Sequence, residues 1–247
     1  MDWTDRGIVL SARRHGESAV ILALMTEAHG RHLGIVRGGA GRRARGLYEP
    51  GNLVAATWRA RLEDHLGGFA CELVRAGAAA VLDDPLRLAG LSALVAVVET
   101  ALPERESHPA IYARMVDLID RLDAADWLEG YVDFELTLLR DLGFGLDLSA
   151  CAATGGNDQL VFVSPRSGRA VSASAGEPYR EKLLALPAFL AGAKSRAATP
   201  DEIVAGLRLT GYFLERHVFV HGRTGAPPAR RRFADRLRDG VAAPGQS

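Results

Sequence analysis

Residues 19–37 read AVILALMTEAHGRHLGIVR, and this stretch decides the fold of the first third of the chain. Two apolar or alternating segments, residues 19–25 and 31–37, flank a turn that ends in Gly30. Such a pair of segments around a glycine-containing turn is typical of a β-hairpin. Working outward, similar segments occur at residues 7–10, 52–59 and 69–75. Five short strands within residues 1–76, with no segment of helical period, predict a small closed or partly open barrel.

From residue 83 onward the apolar residues recur with the period of a helix. Asp84-Pro85, Ser107-His108-Pro109 and the capping box Thr199-Pro200-Asp201-Glu202 mark helix starts, since a capping side chain precedes a proline. A further helix is predicted over residues 125–142, which Gly143 ends. We therefore predict an α+β multidomain protein, with a barrel in residues 1–80 and an α-helical domain in residues 81–247. Residues 151–176, rich in Ala, Gly and Ser, are predicted to form a small insertion in that domain.

The charges balance over the whole chain but are segregated along it. The 30 basic and 30 acidic side chains cancel, whereas residues 81–150 carry a net charge of −9 from 5 basic and 14 acidic residues. The longest apolar run, residues 88–98, is shorter than the roughly 20 residues of a membrane span. Asp2 and Asp5 occupy the part of a signal peptide that is normally basic. We therefore expect a cytoplasmic protein without a membrane partner.

Arginines accumulate between the predicted third and fourth strands and just after the fourth. No acidic residue lies between Glu27 and Glu49, and Trp58 lies beside the second group. Guanidinium groups pair with phosphates and stack on bases, as aromatic rings also do. The pattern therefore predicts a nucleic-acid site, although a solvated loop would have the same composition. The candidate DNA-binding residues are Arg31, Arg37, Arg42, Arg43, Arg45, Trp58, Arg59 and Arg61.

Two other polar groups receive weaker interpretations. Five arginines within residues 230–238 form a second basic patch that could contact DNA or cap a helix. His217 and His221 are spaced like two metal ligands on a helix, but no carboxylate or thiol near them completes a site. The Walker, HExxH and GxSxG motifs are absent from the sequence, and the two cysteines cannot supply paired CxxC motifs. We predict no catalytic residues.

Several segments, in order and spacing, resemble the bacterial recombination-mediator family RecO. Residues 26–31, TEAHGR, are similar to the family's TxxxGR turn, and residues 36–40, VRGGA, resemble its KGARR segment. Residues 47–51, LYEPG, resemble LQPF at the entry to the fourth strand. Residues 134–144, FELTLLRDLGF, resemble FELxLLxxLGY, and Cys151 follows at the expected place. The resemblance extends over nearly the whole chain.

The resemblance implies an N-terminal OB-fold followed by a helical domain that contains a zinc-ribbon-like insertion. It also implies a non-enzymatic role in DNA repair: binding and annealing single-stranded DNA and, with RecR, helping to load RecA onto strands coated by single-strand-binding protein. Metal-binding members carry two CxxC pairs in the insertion. Here the matching positions hold Cys151, Thr154, Ser172 and Ala175, so we expect a degenerate ribbon with no metal or other cofactor.

The resemblance also implies that the C-terminal tail of single-strand-binding protein binds this chain. We expect the helical domain to bind it, with Leu128, Leu139 and Arg140 as candidate partner-binding residues because they flank the predicted buried face of a helix. Two alternatives remain open on the residues alone. An OB-fold module for RNA or tRNA would carry the same arginine loop, and an enzyme could use a pocket of the helical domain that no motif reveals.

Overall fold

The computed structural model describes residues 1–62, 64–192, 197–220 and 225–242, apart from the side chains at positions 43, 80 and 242. The chain divides into two compact units, Met1–Asp123 and Ala124–Ser247. Within the described ranges, the longest helices are too short or too polar to cross a membrane. Each unit has a hydrophobic core of its own.

The first unit contains a closed five-stranded barrel of the OB type, as predicted. Its strands are β1 (Asp2–His15), β2 (Ala19–Thr26), β3 (Gly30–Val36), β4 (Leu53–Arg59) and β5 (Gly68–Arg75). The strand order is β1-β2-β3-β5-β4, and β4 pairs back to β1. Every neighbouring pair is antiparallel except β3 and β5, which run parallel. A one-turn helix, α1 (Arg42–Arg45), interrupts the connection between β3 and β4.

Alternate residues of the strands fill the barrel. Val20, Leu22 and Leu24 of β2 point inward and meet Trp58 of β4 and Phe69 of β5, and all five are buried. The strand β1 is longer than the predicted segment 7–10, because its charged ends lack apolar alternation and are held by pairing to β4 and β2. The interior therefore follows the period-two pattern wherever one face of a strand is apolar.

Two helices follow the barrel and extend the first unit beyond residue 80, and the first of them packs on β1 and β2. In α2 (Pro85–Ala101), the Asp84 carboxylate caps the first turn by accepting from the backbone N–H groups of residues 86 and 87. Ser11 and Arg13 of β1 both bond to Glu99 of α2, at 2.7 and 2.8 Å. The next helix is α3 (Pro109–Asp120). The predicted boundary at residue 80 thus marks the end of the barrel, while the compact unit continues to Asp123.

The second unit surrounds the helix α4 (Trp127–Asp141). Gly143, at φ 85°, ends α4 as predicted, and the N–H of Phe144 bonds to the carbonyl of Leu139 at 2.7 Å. The predicted capping box at Thr199 is present, since its hydroxyl and the Glu202 carboxylate each accept a backbone N–H of the other residue. The other strands, α-helices and a π-helical turn are β6 (Leu160–Val163), β7 (Ala170–Ser172), α5 (Ala173–Gly176), β8 (Leu184–Ala185), α6 (Pro200–Phe213), the π-helical turn (Leu214–Val218) and α7 (Pro228–Ala242). The strands of this unit form a three-stranded sheet in the order β7-β6-β8, which lies between α4 and α6 in sequence.

A buried ion pair joins three helices in the core of the second unit. Arg230 of α7 donates two hydrogen bonds to the Glu135 carboxylate of α4, at 2.8 and 2.9 Å. Thr210 of α6 donates its hydroxyl to the same carboxylate. Burial lowers the pKa of Arg230, but the charge of Glu135, its hydrogen bonds to Arg230, and the nearby Tyr131 and Glu215 together outweigh burial and raise that pKa above its ordinary value. Arg230 therefore keeps its charge, and its hydrogen bonds to Glu135 and Leu207, with that of Thr210, connect α4, α6 and α7.

Candidate nucleic-acid interface

The connection between β3 and β4 presents a set of free cations on a fixed backbone. Arg37, Arg42 and Arg45 are exposed, and none bonds through its guanidinium to any residue that the structure describes. The loop is held because Asn52 donates to the carbonyl of Gly46 at 2.8 Å and because the backbone of residue 40 bonds to that of residue 18 at 3.0 Å. The cations are therefore positioned without being neutralised.

Arg59 and Arg61 lie on the same rim of the barrel as Arg37. Strand pairing shows this, since residue 35 pairs with Gly68 and Gly68 pairs with Arg59. Two strand spacings place the ends of β3 and β4 roughly 10 Å apart. Both arginines are exposed, and the only ion pair of Arg59 among the described residues is a 3.9 Å contact with the exposed Asp2. We call this set, Arg37, Arg42, Arg45, Arg59 and Arg61, the arginine rim. The side chain of Arg43, also predicted here, lies outside the described part.

The structure adds Arg14 to this region, which the sequence analysis missed. Arg14 is exposed near the end of β1, and its guanidinium donates to the carbonyl of Glu17 at 3.3 Å. The backbone bond between residues 40 and 18 brings the loop after β3 against the β1–β2 turn. The two adjacent arginines at positions 13 and 14 could have indicated a basic surface. The first strand was predicted to end at residue 10, however, so residues 13 and 14 were not connected with the arginines of the β3–β4 loop.

The prediction for Arg31 is wrong. Its side chain is only 16% exposed, and its Nε donates to the carbonyl of Leu102 at 2.8 Å. A second guanidinium nitrogen lies 3.5 Å from the Glu104 carboxylate. The segment around residues 102–106 runs along β3, where residue 31 forms a β-bridge with Glu104. Arg31 therefore ties that segment to the barrel and is not available to a phosphate.

The prediction of Trp58 as a stacking platform is also wrong. Trp58 is 1% exposed because it shares the inward face of β4 with residues 54 and 56. Its indole N–H donates to the carbonyl of Leu66 at 3.1 Å, and Trp3 stacks on it with ring centroids 5.7 Å apart. His32 packs edge-on against the same ring, and burial, followed by nearby Arg105 and His29, lowers its pKa to about 4. These rings form the core at one end of the barrel rather than a base-binding surface.

Two predictions in the second unit are changed by burial. Leu139 is fully buried. Eight of the fifteen residues of α4 are buried, so the buried face of this helix is wider than a single apolar stripe and includes Leu139. Leu128 is half-buried and Arg140 is exposed, so Leu139 cannot join them on a surface.

In the second basic patch, Arg230 is paired with the buried Glu135 and is therefore not free to bind DNA. His221 lies outside the described residues, and His217 stacks on Phe144 with ring centroids 4.9 Å apart.

The ribbon-like segment contains hydrogen bonds where the resemblance would place thiolates. Cys151 is buried, and its sulfur accepts from the backbone N–H of Ser172 at 3.3 Å. Bonds from the Ser172 hydroxyl and then from Thr154 lower the pKa of the Cys151 thiol to about 6. One thiol and two hydroxyls do not form a tetrahedral zinc site. No group of three or more His, Cys, Asp or Glu side chains suited to a metal occurs in the described ranges. The residues here do not fit zinc.

A groove with an apolar floor and charged edges of both signs lies along α6 in the second unit; Asp201, Glu215 and Asp235 are its acidic lining residues. Two adjoining cavities of about 640 and 390 Å³ share Leu184, Val204 and Arg208. Leu207 adds to the apolar floor of the larger cavity, and Arg180 lines the smaller one. Neither Arg180 nor Arg208 pairs through its side chain with another residue in the described part of the chain. We call this the α6 groove.

Comparison with known proteins agrees with this geometry. The profile described as recombination protein O N terminal matches residues 1–76, and the profile recombination protein O C terminal matches residues 82–224. A DNA repair protein RecO of Rhodospirillum centenum is 56% identical over 240 residues, which cover 96% of this chain and 95% of the relative. The protein of the same name from Rhodospirillum rubrum is 50% identical over 244 residues, covering 96% and 97% of the two chains. That from Methylobacterium nodulans is 52% identical over 236 residues, covering 94% and 95%. With an OB-type barrel under the first match and helices under the second, the chain belongs to the recombination protein O family.

Proposed function

We propose that this chain is a DNA repair and recombination mediator that binds and anneals single-stranded DNA through the barrel. In this proposal it works with RecR in the cytoplasm to help load RecA onto strands coated by single-strand-binding protein. No catalytic step is assigned to it. The arginine rim carries the proposal, because its guanidinium groups are exposed on a barrel of a type that holds single strands, and among the described residues only that of Arg59 has an ion pair. The name that the relatives carry, DNA repair protein, supports the same role.

The chemistry of the rim fits a phosphate backbone better than it fits a base sequence. Guanidinium groups pair with phosphates through two parallel bonds, and binding releases the counterions condensed on the strand. The inward-facing Trp58 supplies no exposed ring for base stacking. Affinity is therefore expected to be strongly dependent on salt and weakly dependent on sequence. Neutralising the phosphates of two complementary strands would also reduce their mutual repulsion during annealing.

A competition experiment separates DNA from the RNA alternative. A labelled single-stranded DNA of about 15 nucleotides, the upper range for one OB-fold, is bound and then displaced by unlabelled strands. We expect unlabelled single-stranded DNA to displace it at a concentration at least tenfold lower than a folded RNA hairpin of equal charge, since paired strands hold their phosphates in a fixed duplex. Preferential displacement by the hairpin would contradict the proposal and favour an RNA-binding module.

We further propose that the α6 groove binds the C-terminal tail of single-strand-binding protein. In the family that this chain resembles, the tail of the partner is acidic and ends in phenylalanine. The floor of Leu184, Val204 and Leu207 suits an aromatic anchor, and Arg180 and Arg208 suit carboxylates. The groove replaces the α4 surface predicted from the sequence, because Leu139 is buried there. The barrel would thus bind DNA and the region after residue 80 would bind the partner protein.

Replacing Arg208 by Ala is expected to weaken binding of a labelled tail peptide roughly tenfold, the value of one charge-assisted bond. Arg166→Ala is the matched control, because Arg166 is exposed in the same unit and lines neither cavity. Fluorescence anisotropy on the full chain measures both affinities. An unchanged affinity in Arg208→Ala, together with a loss in Arg140→Ala, would return the site to α4.

A further inference from the structure

A cavity of about 440 Å³ lies between the end of β1 and the loop that follows β3. Its volume is within the range of roughly 300–1,000 Å³ that is typical of small-molecule sites. Val20, Ala40 and Tyr48 form an apolar floor, and Val20 and Tyr48 are buried. The loop after β3 already bonds to the β1–β2 turn and to Asn52, so its backbone would lose little conformational freedom when a ligand fills the cavity. The cavity is therefore preformed.

Three charged side chains surround the apolar floor. Arg14 and Arg45 supply guanidinium groups, and Glu49 supplies a carboxylate. Arg45 and Glu49 are exposed, and their side chains make no hydrogen bond or ion pair with any residue in the described ranges. A cavity for phosphate alone would not gain from the carboxylate, which repels anions. Arginines beside an acceptor fit a group that is anionic at one end and carries a hydrogen-bond donor at the other.

A nucleotide has this chemistry when its base carries an exocyclic amino group. The phosphate pairs with arginine, the ring covers apolar surface, and the amino group donates to a carboxylate as cytosine N4 does to Glu or Asp. Thymine presents a carbonyl oxygen at the corresponding position. This oxygen and the Glu49 carboxylate are both hydrogen-bond acceptors, so they would repel each other. The cavity also includes Arg45, which belongs to the arginine rim, so a strand held there passes its mouth.

We propose that this cavity receives a single unstacked base of the bound strand and prefers a base with an exocyclic amino group, such as cytosine, to thymine. The inference rests on the proposed binding of single-stranded DNA by the rim and adds a selective contact to it. Arg14 and Arg45 hold the flanking phosphates, and Glu49 accepts the amino hydrogen. One position of the strand is thus read, while the others are bound through phosphate alone.

The test compares oligo-dC with oligo-dT, each about 15 nucleotides long, on the full chain. The wild type is expected to bind oligo-dC about fivefold more tightly, the value of one hydrogen bond. Glu49→Gln should bring the ratio near one, because an amide can also donate to the thymine carbonyl. Ala12→Trp, which fills the cavity from an exposed position, should also bring the ratio near one, because it should lower the affinity for oligo-dC more than the affinity for oligo-dT. Ala70→Trp, at an exposed position on β5, is the control and should keep the fivefold ratio.

Each outcome separates this inference from the proposal on which it rests. Tight binding of both strands with equal affinity, or a fivefold preference that survives in both Glu49→Gln and Ala12→Trp, would overturn the base pocket and leave DNA binding by the rim intact. Failure of the wild type to bind either strand would overturn the proposed function and the pocket together.

Discussion

Replacing Glu135 by Gln is expected to lower the free energy of unfolding by about 3–5 kcal/mol, because it leaves Arg230 as an uncompensated buried charge. Glu135 is fully buried and the Arg230 side chain is 5% exposed. The guanidinium is held among α4, α6 and α7 by its bonds to Glu135 and to the carbonyl of Leu207. Urea titration of the full chain, followed by far-ultraviolet circular dichroism, measures the change.

Two further variants show whether the buried charge is the cause. Asp147→Asn breaks the ion pair between the Asp147 and Arg169 side chains, which are 46% and 45% exposed, and should leave the free energy of unfolding nearly unchanged. The double variant Glu135→Leu with Arg230→Met removes both buried charges and should recover much of the lost stability. A Glu135→Gln variant no less stable than Asp147→Asn would contradict this account of the core.

The triple variant Arg37→Ala, Arg42→Ala and Arg45→Ala is expected to bind single-stranded DNA on the order of 100-fold more weakly than the wild type at low salt. Each exposed arginine contributes about 1 kcal/mol when it bonds to a phosphate, so three of them account for roughly 100-fold. The fold should be unaffected, since no described residue bonds to these guanidinium groups. Anisotropy titration with a labelled strand measures the affinity.

The matched control removes three arginines from outside the rim. Arg114, Arg121 and Arg166 lie on α3, just after it, and in the second unit, so their replacement by Ala makes the same change in net charge. We expect less than a threefold change in affinity for this control, as the long-range effect of charge is screened by salt. Equal losses in the two triple variants would show that net charge, rather than the rim, governs binding.

The barrel could be predicted from the sequence because its strands alternate or are bounded by glycine turns. Helix starts at Asp84 and Thr199 were equally accessible, since a cap and a proline act within one turn. These features are local. The residues that cause each turn or helix start lie within a few positions of it in the sequence.

The errors arose where the decisive contact is distant in sequence. Arg31 is bonded to the carbonyl of Leu102, 71 residues away, and Glu135 meets Arg230 across 95 residues. The alternation of side chains along β4, in which residues 54, 56 and 58 share one face, would have placed Trp58 inside the barrel. Its position in the sequence beside two arginines suggested an exposed surface instead. Residue type therefore located the arginine loop, whereas only the fold distinguished free guanidinium groups from those used in packing.

The salt dependence of single-stranded DNA binding tests the central claim most directly. On a single strand the logarithm of the affinity falls with the logarithm of salt concentration with a slope of about −0.7 for each phosphate neutralised. If the rim binds the backbone, the slope for the triple variant at Arg37, Arg42 and Arg45 should be less steep than that of the wild type by about 2, and the control triple should keep the wild-type slope. Identical slopes for the wild type and the rim variant would contradict the assignment of DNA binding to this face of the barrel.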